Sequence, residues 1–399
     1  MADNRIDRDL NAQGGSGADG AKRRLLDARV TRRGFLSMLG TIAGAGMLAG
    51  CTGKGGTGTG SAASDGSASA RASFEGDTAA GPVDERLDAA SLERIGGPTS
   101  YPFTFTTYDY NRQQVKVTIK KAPERVMAVQ QNNIETLLAL GLKDKIVMAY
   151  GLDDPSALGD LKADFDQIPF QDGKPSKEDV IGVDPDFITA WYSTFADDFL
   201  GDVDFWHNRE TGTYMSRNSA CRGKTGTYHQ TIYDEFQDIL LLGQIFDKQD
   251  EAQAIVDKML AEVEKVQQYA KEQSSHPTVA VLENEDGSYR VYSEMTLGGN
   301  VATEAGATLA VGKGEDTANI SAEDLIATDP DAVFMVWYDG FRDAESCVAD
   351  ITENSKFKSL GAVKDKKVFP VALTGIYCSG LHTIDGLRAF YQALYPDLQ

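Results

Sequence analysis

Residues 176–186 read Ser-Lys-Glu-Asp-Val-Ile-Gly-Val-Asp-Pro-Asp, and residues 321–331 read Ser-Ala-Glu-Asp-Leu-Ile-Ala-Thr-Asp-Pro-Asp. The stretches share seven of eleven positions, lie 145 residues apart, and each runs into an apolar segment ending in Trp-Tyr, at Trp191-Tyr192 and Trp337-Tyr338. Each copy opens with Ser and places Asp three residues later, the pattern that caps a helix N-terminus. Asp-Pro-Asp then turns the chain, and the apolar run beyond it is a buried strand. Recurrence this close predicts two lobes of similar construction.

Outward from the first copy, the pattern alternates between strand and helix. Residues 125–129 are a short β-rich run, 134–140 form a helix ended by Gly141, and 146–150 form a second strand. Such a βαβ unit implies a parallel sheet. Further strands are expected at 187–191, 279–282, 333–337 and 368–371, and the alternation in 101–119 around Asn111-Arg112 suggests a β-hairpin. Between the two groups, residues 250–272 place Val256, Met259, Leu260, Val263 and Val266 on one helical face with charges opposite. At about 1.5 Å per residue this helix is roughly 35 Å long, enough to reach across two lobes. The expected fold is therefore α/β, with two lobes of mainly parallel sheet and one long helix able to span them.

Composition limits the function. The 399 residues carry a net charge of −21, which argues against a nucleic-acid backbone as partner. Residues 1–50 contribute +3, so the remainder carries −24. Arg32-Arg33 precede a Gly/Ala-rich apolar stretch too short for an ordinary membrane span, which needs about 20 residues. Thr31-Arg32-Arg33-Gly34-Phe35-Leu36 resembles a twin-arginine export signal, and Leu48-Ala49-Gly50-Cys51 resembles a lipobox with Cys51 as the acylated residue. The expected organisation is a signal peptide at 1–50, a Gly/Ser-rich tether at 51–96, an N-terminal lobe at 97–248, the connecting helix at 249–273 and a C-terminal lobe at 274–399. Of the cysteines, Cys221, Cys347 and Cys378 remain for at most one disulfide.

Pro123-Glu124-Arg125-Val126, the run from Asn133 to Leu142, the paired Ser-x-Glu-Asp units and the C-terminal Gly380-Leu381, Gly386-Leu387 and Tyr395-Pro396 together resemble the periplasmic-binding-protein type of ABC importers for ferric siderophores, haem and cobalamin. The resemblance covers roughly residues 101–399. It implies two α/β lobes with mainly parallel sheets joined by one long rigid helix, with the ligand cleft between the lobes, and a lipid-anchored, extracytoplasmic receptor, a monomer, whose partners are an ABC permease with its ATPase and a small chelate. It also implies that one glutamate per lobe, Glu178 and Glu323, docks on the permease, although both also suit the positive end of a helix dipole.

Loops at the carboxyl ends of parallel strands converge on one crevice, where ligands bind. The ligand candidates in such loops are Gln131, Tyr150, Trp191, Tyr192, Tyr292, Trp337, Tyr338 and Tyr377, whose rings offer rigid faces to a bulky chelate. Arg217 and Arg342 are added as forks for carboxylate or catecholate oxygens, with surface ion pairing as their ordinary alternative, and Arg209 and Arg222 fall in the same irregular stretch as Arg217. Four histidines without a metal-binding array, and no nucleophile elbow, argue against an enzyme and against a metal site or intrinsic cofactor. The expected cargo is an iron chelate, with haem or cobalamin as the alternative; a secreted two-domain α/β enzyme and an inert lipoprotein scaffold are the competing classes.

Overall fold

A computed structural model describes residues 86–94, 96–220, 229–313, 319–338 and 342–398. Arg32, Arg33, Cys51, Cys221 and Arg222 lie outside the described residues. The hairpin pairs β1 (Phe103–Tyr108) antiparallel with β2 (Gln114–Ile119) and carries Asn111-Arg112 at its tip. Residues 88–94, placed by composition in the tether, pack against the folded body: Leu92 is buried, and the Glu93 amide donates to Gln237 Oε1 at 2.9 Å.

The first sheet uses β3 (Val126–Val129), β4 (Ile146–Tyr150), β5 (Phe170–Gln171), β6 (Phe187–Ala190) and β7 (Gly212–Met215), in the order β5-β4-β3-β6-β7 and parallel throughout. Its central strands are apolar at nearly every position because helices cover both faces of such a sheet. Helix α1 (Gln131–Ala139) follows β3, and α2 (Lys177–Val183) precedes β6. Then come α3 (Ile232–Ile245) and the long helix α4 (Gln249–Glu272). The inward face of α4 holds Val256, Met259, Leu260, Val263 and Val266, the stripe its periodicity predicts. Helix α3 was not expected. Its apolar residues Ile232, Tyr233, Phe236, Ile239 and Leu240 fall at helical spacing, and thirteen of its fourteen residues are buried, the polar face of Asp234, Glu235 and Asp238 included.

The second sheet comprises β8 (Thr278–Glu285), β9 (Ser288–Val291), β10 (Thr308–Leu309), β11 (Asn319–Ile320), β12 (Ala332–Trp337) and β13 (Val368–Ala372). Its order is β11-β9-β8-β12-β13, with β10 beside β8. Strands β8, β12 and β13 are parallel, whereas β9 returns antiparallel to β8 through a tight turn at Asp286-Gly287. Helices α5 (Leu297–Glu304), α6 (Ala322–Thr328), α7 (Ala344–Thr352) and α8 (Thr383–Leu394) complete this lobe. Phe390 of α8 packs on Phe334 of β12 at 4.5 Å between ring centres.

The repeat has a structural meaning in both lobes. Ser176 and Asp179 exchange hydrogen bonds as a capping box on α2, and Ser321 with Asp324 does the same on α6. The first Asp of each Asp-Pro-Asp, Asp184 or Asp329, ends its helix in the left-handed region at φ 52° or 44°. The third residue ties two strands together at their entrance. Asp186 accepts from the Glu124 and Arg125 amides, each at 2.9 Å, ahead of β3; Asp331 accepts from the Thr278 amide at 2.7 Å at the start of β8. Both aspartates therefore join a strand to its parallel neighbour, β6 to β3 and β12 to β8.

Candidate functional site

At the carboxyl end of β3 the chain turns sharply into α1, with Gln130 at φ 70°. A non-glycine residue holds that conformation only when its surroundings fix it. Here the Gln130 carboxamide is buried: Oε1 accepts from the Trp191 amide at 2.8 Å and Nε2 donates to Thr194 Oγ1 at 2.9 Å. Asn132 Oδ1 accepts from the Trp191 indole Nε1 at 2.8 Å, and Asn132 Nδ2 donates to Ser216 Oγ at 3.2 Å. Asn133 Oδ1 accepts from Thr189 Oγ1 at 2.7 Å and Ser216 Oγ at 3.2 Å. Buried polar groups require such partners, and a network this complete gives the Trp191 indole one orientation.

That orientation presents Trp191 to the other lobe. Its ring meets Tyr377, in the segment after β13, edge-on, with ring centres 5.3 Å apart and planes at 67°. Three residues further on, at Gly380, the backbones close up. Gly380 has φ 51°, and a Cβ placed on it would stand 3.0 Å from Asn132 Cβ, so only glycine fits both the conformation and the space. The Gly380 amide donates to Glu235 Oε2 at 2.6 Å, while Glu235 Oε1 accepts from Asn218 Nδ2 at 2.8 Å. His382 Nε2 lies 2.8 Å from Glu135 Oε2 of α1, and its Nδ1 is 2.8 Å from Asp385 Oδ2.

Charges at this junction are unusual. Burial disfavours the His382 imidazolium, but Asp385 and Glu135 outweigh it and raise the group to about 10. Burial pushes Glu235 up to about 7 against the hydrogen bonds from Asn218 and Gly380. Asp238 is likewise held well above the ordinary carboxylate range by burial and then by Glu235, although it accepts from Tyr214 Oη at 2.6 Å. Among the described residues no group of three or more His, Cys, Asp and Glu is arranged to hold a metal ion.

Residues 126–371 match the family model described as periplasmic binding protein, well over half of the chain. The chain belongs to the periplasmic binding protein family. It is 22% identical over 301 residues to an uncharacterized ABC transporter substrate-binding lipoprotein of Bacillus subtilis, a match covering 74% of this chain and 87% of that protein. A periplasmic binding protein from Veillonella parvula superposes with a TM-score of 0.68 at 28% identity, over 78% of this chain and 96% of that one. A protein of an ABC-type Fe3+-hydroxamate transport system from Saccharomonospora viridis shares the fold, with a TM-score of 0.60 at 20% identity over 74% and 100% of the two chains.

In this periplasmic binding protein, Trp191 and Tyr377 are the candidates that the fold brings together across the lobes. Tyr192 follows Trp191, and its ring stacks under Tyr110 of the hairpin at 6.0 Å. Tyr150 is buried at the end of β4 with its hydroxyl 3.2 Å from Gln171 Oε1. Gln131 has its amide engaged internally, donating to Glu135 and to the Asp154 carbonyl and accepting from the Asp154 amide. In the other lobe, Tyr338 is buried after β12 and Trp337 is half-buried against the core beneath it. Tyr292 donates to buried Glu283 Oε2 at 3.0 Å. Because β9 runs antiparallel, Tyr292 leaves it beside Val281 in the middle of β8 and not at the end from which Tyr338 emerges.

The two candidate arginines have carboxylate partners inside the protein. Arg217 Nε lies 3.0 Å from Asp234 Oδ1, and Arg342 is bidentate to Asp350 while also donating to the Ser346 carbonyl at 2.9 Å. Glu178 and Glu323 are exposed in the first turns of α2 and α6, beside capping boxes that Ser and Asp complete without them. Sequence reasoning missed Asn132, Asn133, Glu135, Glu235 and His382. The polar run from Gln130 to Asn133 was a usable sign, since four consecutive amides between a buried strand and an apolar helix need internal partners. Glu235 and His382 gave no such sign, because their partners in the other lobe, Gly380 and Glu135, lie 145 and 247 residues away in the chain.

Proposed function

We propose that this family member is the substrate-binding receptor of an ABC importer, lipid-anchored outside the cell membrane through Cys51 after export by its Arg32-Arg33 signal, and that its cargo is an iron chelate of the ferric siderophore class. The observation that carries the reading is the Trp191–Tyr377 ring pair, which joins the two lobes where the strands of the first sheet end. A rigid indole held by Asn132, with its backbone amide held by Gln130, facing a tyrosine of the opposite lobe, suits a bulky ligand recognised by ring contact. With Arg217 and Arg342 engaged by Asp234 and Asp350, rings and amides would dominate that recognition. The Bacillus subtilis relative is named as an ABC transporter substrate-binding lipoprotein, which supports the importer and the anchor. Glu178 and Glu323, exposed at equivalent places in the repeat, would be the docking charges for the permease.

Titration of the full chain with a ferric tris-catecholate, a ferric tris-hydroxamate, haemin and cobalamin, followed by tryptophan fluorescence, tests the ligand class. An iron chelate should quench or shift the emission, and Trp191→Phe should remove most of the change. A response to haemin or cobalamin alone would replace the cargo, and no response to any of the four would overturn the reading.

A further inference from the structure

In the ring pair that joins the lobes, Trp191 and Tyr377 already touch, because an edge-on pair with centres 5.3 Å apart is in contact. A ligand recognised by both rings must first part them, so one ring has to give way. Trp191 is the fixed one. It is 5% exposed, its indole donates to Asn132 and its amide to Gln130, and both partners belong to the buried amide network.

Tyr377 is held differently. It is half-buried and lies between two fixed points of the second lobe, the contact of Gly375 with Gly386 and the first turn of α8 at Thr383. Between these points the chain enters the left-handed region twice within three residues, at Cys378 with φ 43° and at Gly380 with φ 51°. A non-glycine residue keeps that conformation only where its surroundings hold it. Two buried glutamates of the first lobe hold this segment: Glu235 accepts from the Gly380 amide at 2.6 Å, and Glu135 Oε2 lies 2.8 Å from His382 Nε2. The lobes are also joined without it. The Gln230 amide donates to the Met295 carbonyl at 3.2 Å, and the Ile232 amide donates to Asn300 Oδ1 at 2.9 Å. Release from the two glutamates therefore frees the segment without separating the lobes.

We propose that residues 376–382 form a strap that swings away from Trp191 to admit cargo, with Glu235 and Glu135 as its two latches. Cargo and the latched strap compete for the indole, so latching lowers the fraction of receptor able to bind. The inference rests on the cargo reading proposed above, and it assigns the moving part to one short segment instead of a rotation of whole lobes.

Labelling of the full chain with N-ethylmaleimide, followed peptide by peptide, reads the strap without cargo. Cys378 lies in the strap and Cys347 in the core of the second lobe, both 4% exposed. Global unfolding exposes both thiols and strap release exposes one, so Cys378 should label ahead of Cys347 in wild type. Glu235→Ala and His382→Ala should each speed Cys378 labelling by at least about tenfold, the scale of losing one charge-assisted hydrogen bond. Stopped-flow tryptophan fluorescence with a ferric tris-catecholate, a ferric tris-hydroxamate, haemin and cobalamin reads binding. The probe that binds wild type should associate about threefold to tenfold faster with both variants. Labelling of Cys378 and Cys347 at one rate in wild type, or an unchanged Cys378 rate in either folded variant, overturns the strap. Faster labelling with association unchanged or slower overturns its role in admitting cargo. Either result leaves the cargo reading standing, whereas binding of none of the four probes by wild type overturns that reading and the role of the strap with it.

Discussion

Glu135 of α1 and His382 of the segment leading into α8 stand 2.8 Å apart, Oε2 to Nε2, and tie the first lobe to the second at a point where Glu135 is 1% exposed. A buried carboxylate that loses its cationic partner keeps most of its desolvation cost, about 3–5 kcal/mol. His382→Ala should therefore lower unfolding stability at pH 7 by about 3 kcal/mol, and the double variant with Glu135→Gln should recover part of the loss. The pH dependence has a definite sign. The folded His382 value, about 10, lies above the ordinary 6.5, so its contribution is full below 6.5 and fades as pH rises through 10. Urea denaturation of wild type and His382→Ala between pH 6 and 10.5 checks this, with the gap between them shrinking at the alkaline end.

Glu235 gives a pH dependence of the same sign at lower pH. Its folded value is raised to about 7 from 4.5, so the native state holds a proton that the unfolded chain releases between those values. Stability must then fall as pH rises across that window, with the neighbouring Asp238 adding to the slope. Glu235→Gln should flatten the dependence measured as urea midpoints at pH 5 and pH 7.5. An unchanged slope would mean that Glu235 keeps its charge throughout.

The repeat separates two roles that share one helical turn. Asp179→Ala and Asp324→Ala each remove half of a capping box and should cost about 1 kcal/mol in unfolding experiments. Glu178→Ala with Glu323→Ala should change stability by less than about 0.5 kcal/mol, as exposed positions do. If the proposed function holds, cellular uptake of the cargo should be lost in the glutamate pair and retained in the aspartate variants. Normal uptake by the double glutamate variant would return both residues to the helix dipole.

Gly386 of α8 packs against the backbone of Gly375, and a Cβ there would run into the Gly375 carbonyl oxygen. Backbone on both sides leaves no side chain free to move aside. Gly386→Ala should destabilise the protein by about 1–3 kcal/mol, read as a lower midpoint of thermal unfolding. Gly182→Ala, on the exposed side of α2 with nothing within 4 Å of the new atom, is the control and should not destabilise.

How much of this was legible follows from the range of each interaction. The hairpin, the βαβ unit and the long helix are written in neighbouring residues, as alternation or a helical stripe, and the structure has them within three residues of their expected limits, the largest difference being the helix after β3, which starts at Gln131 and not at 134. Helix α3 carries a legible stripe, Ile232, Tyr233, Phe236, Ile239 and Leu240, and a capping box from Thr231 and Asp234; what its own residues do not reveal is that its polar face is buried as well. Strand β7, Gly212-Thr213-Tyr214-Met215, is four residues long and half of them are Gly or Thr, too little for any period to show. The antiparallel course of β9 depends on the turn at Asp286-Gly287, and it decides that Tyr292 emerges away from the other aromatic loops.

The sequence by itself determined the two-lobed α/β architecture, because a repeated capping box, turn and strand is a local pattern whose physics is complete within eleven residues. Tertiary structure alone decided which side chains meet. Trp191 and Tyr377 are 186 positions apart, and Glu135 and His382 are 247 apart, so no local propensity couples them. The arginines show the same limit: Arg217 and Arg342 look available for an anion until the fold places Asp234 and Asp350 against them. Side-chain partnership is settled by packing at close range between distant segments, and that information exists only once the chain has folded.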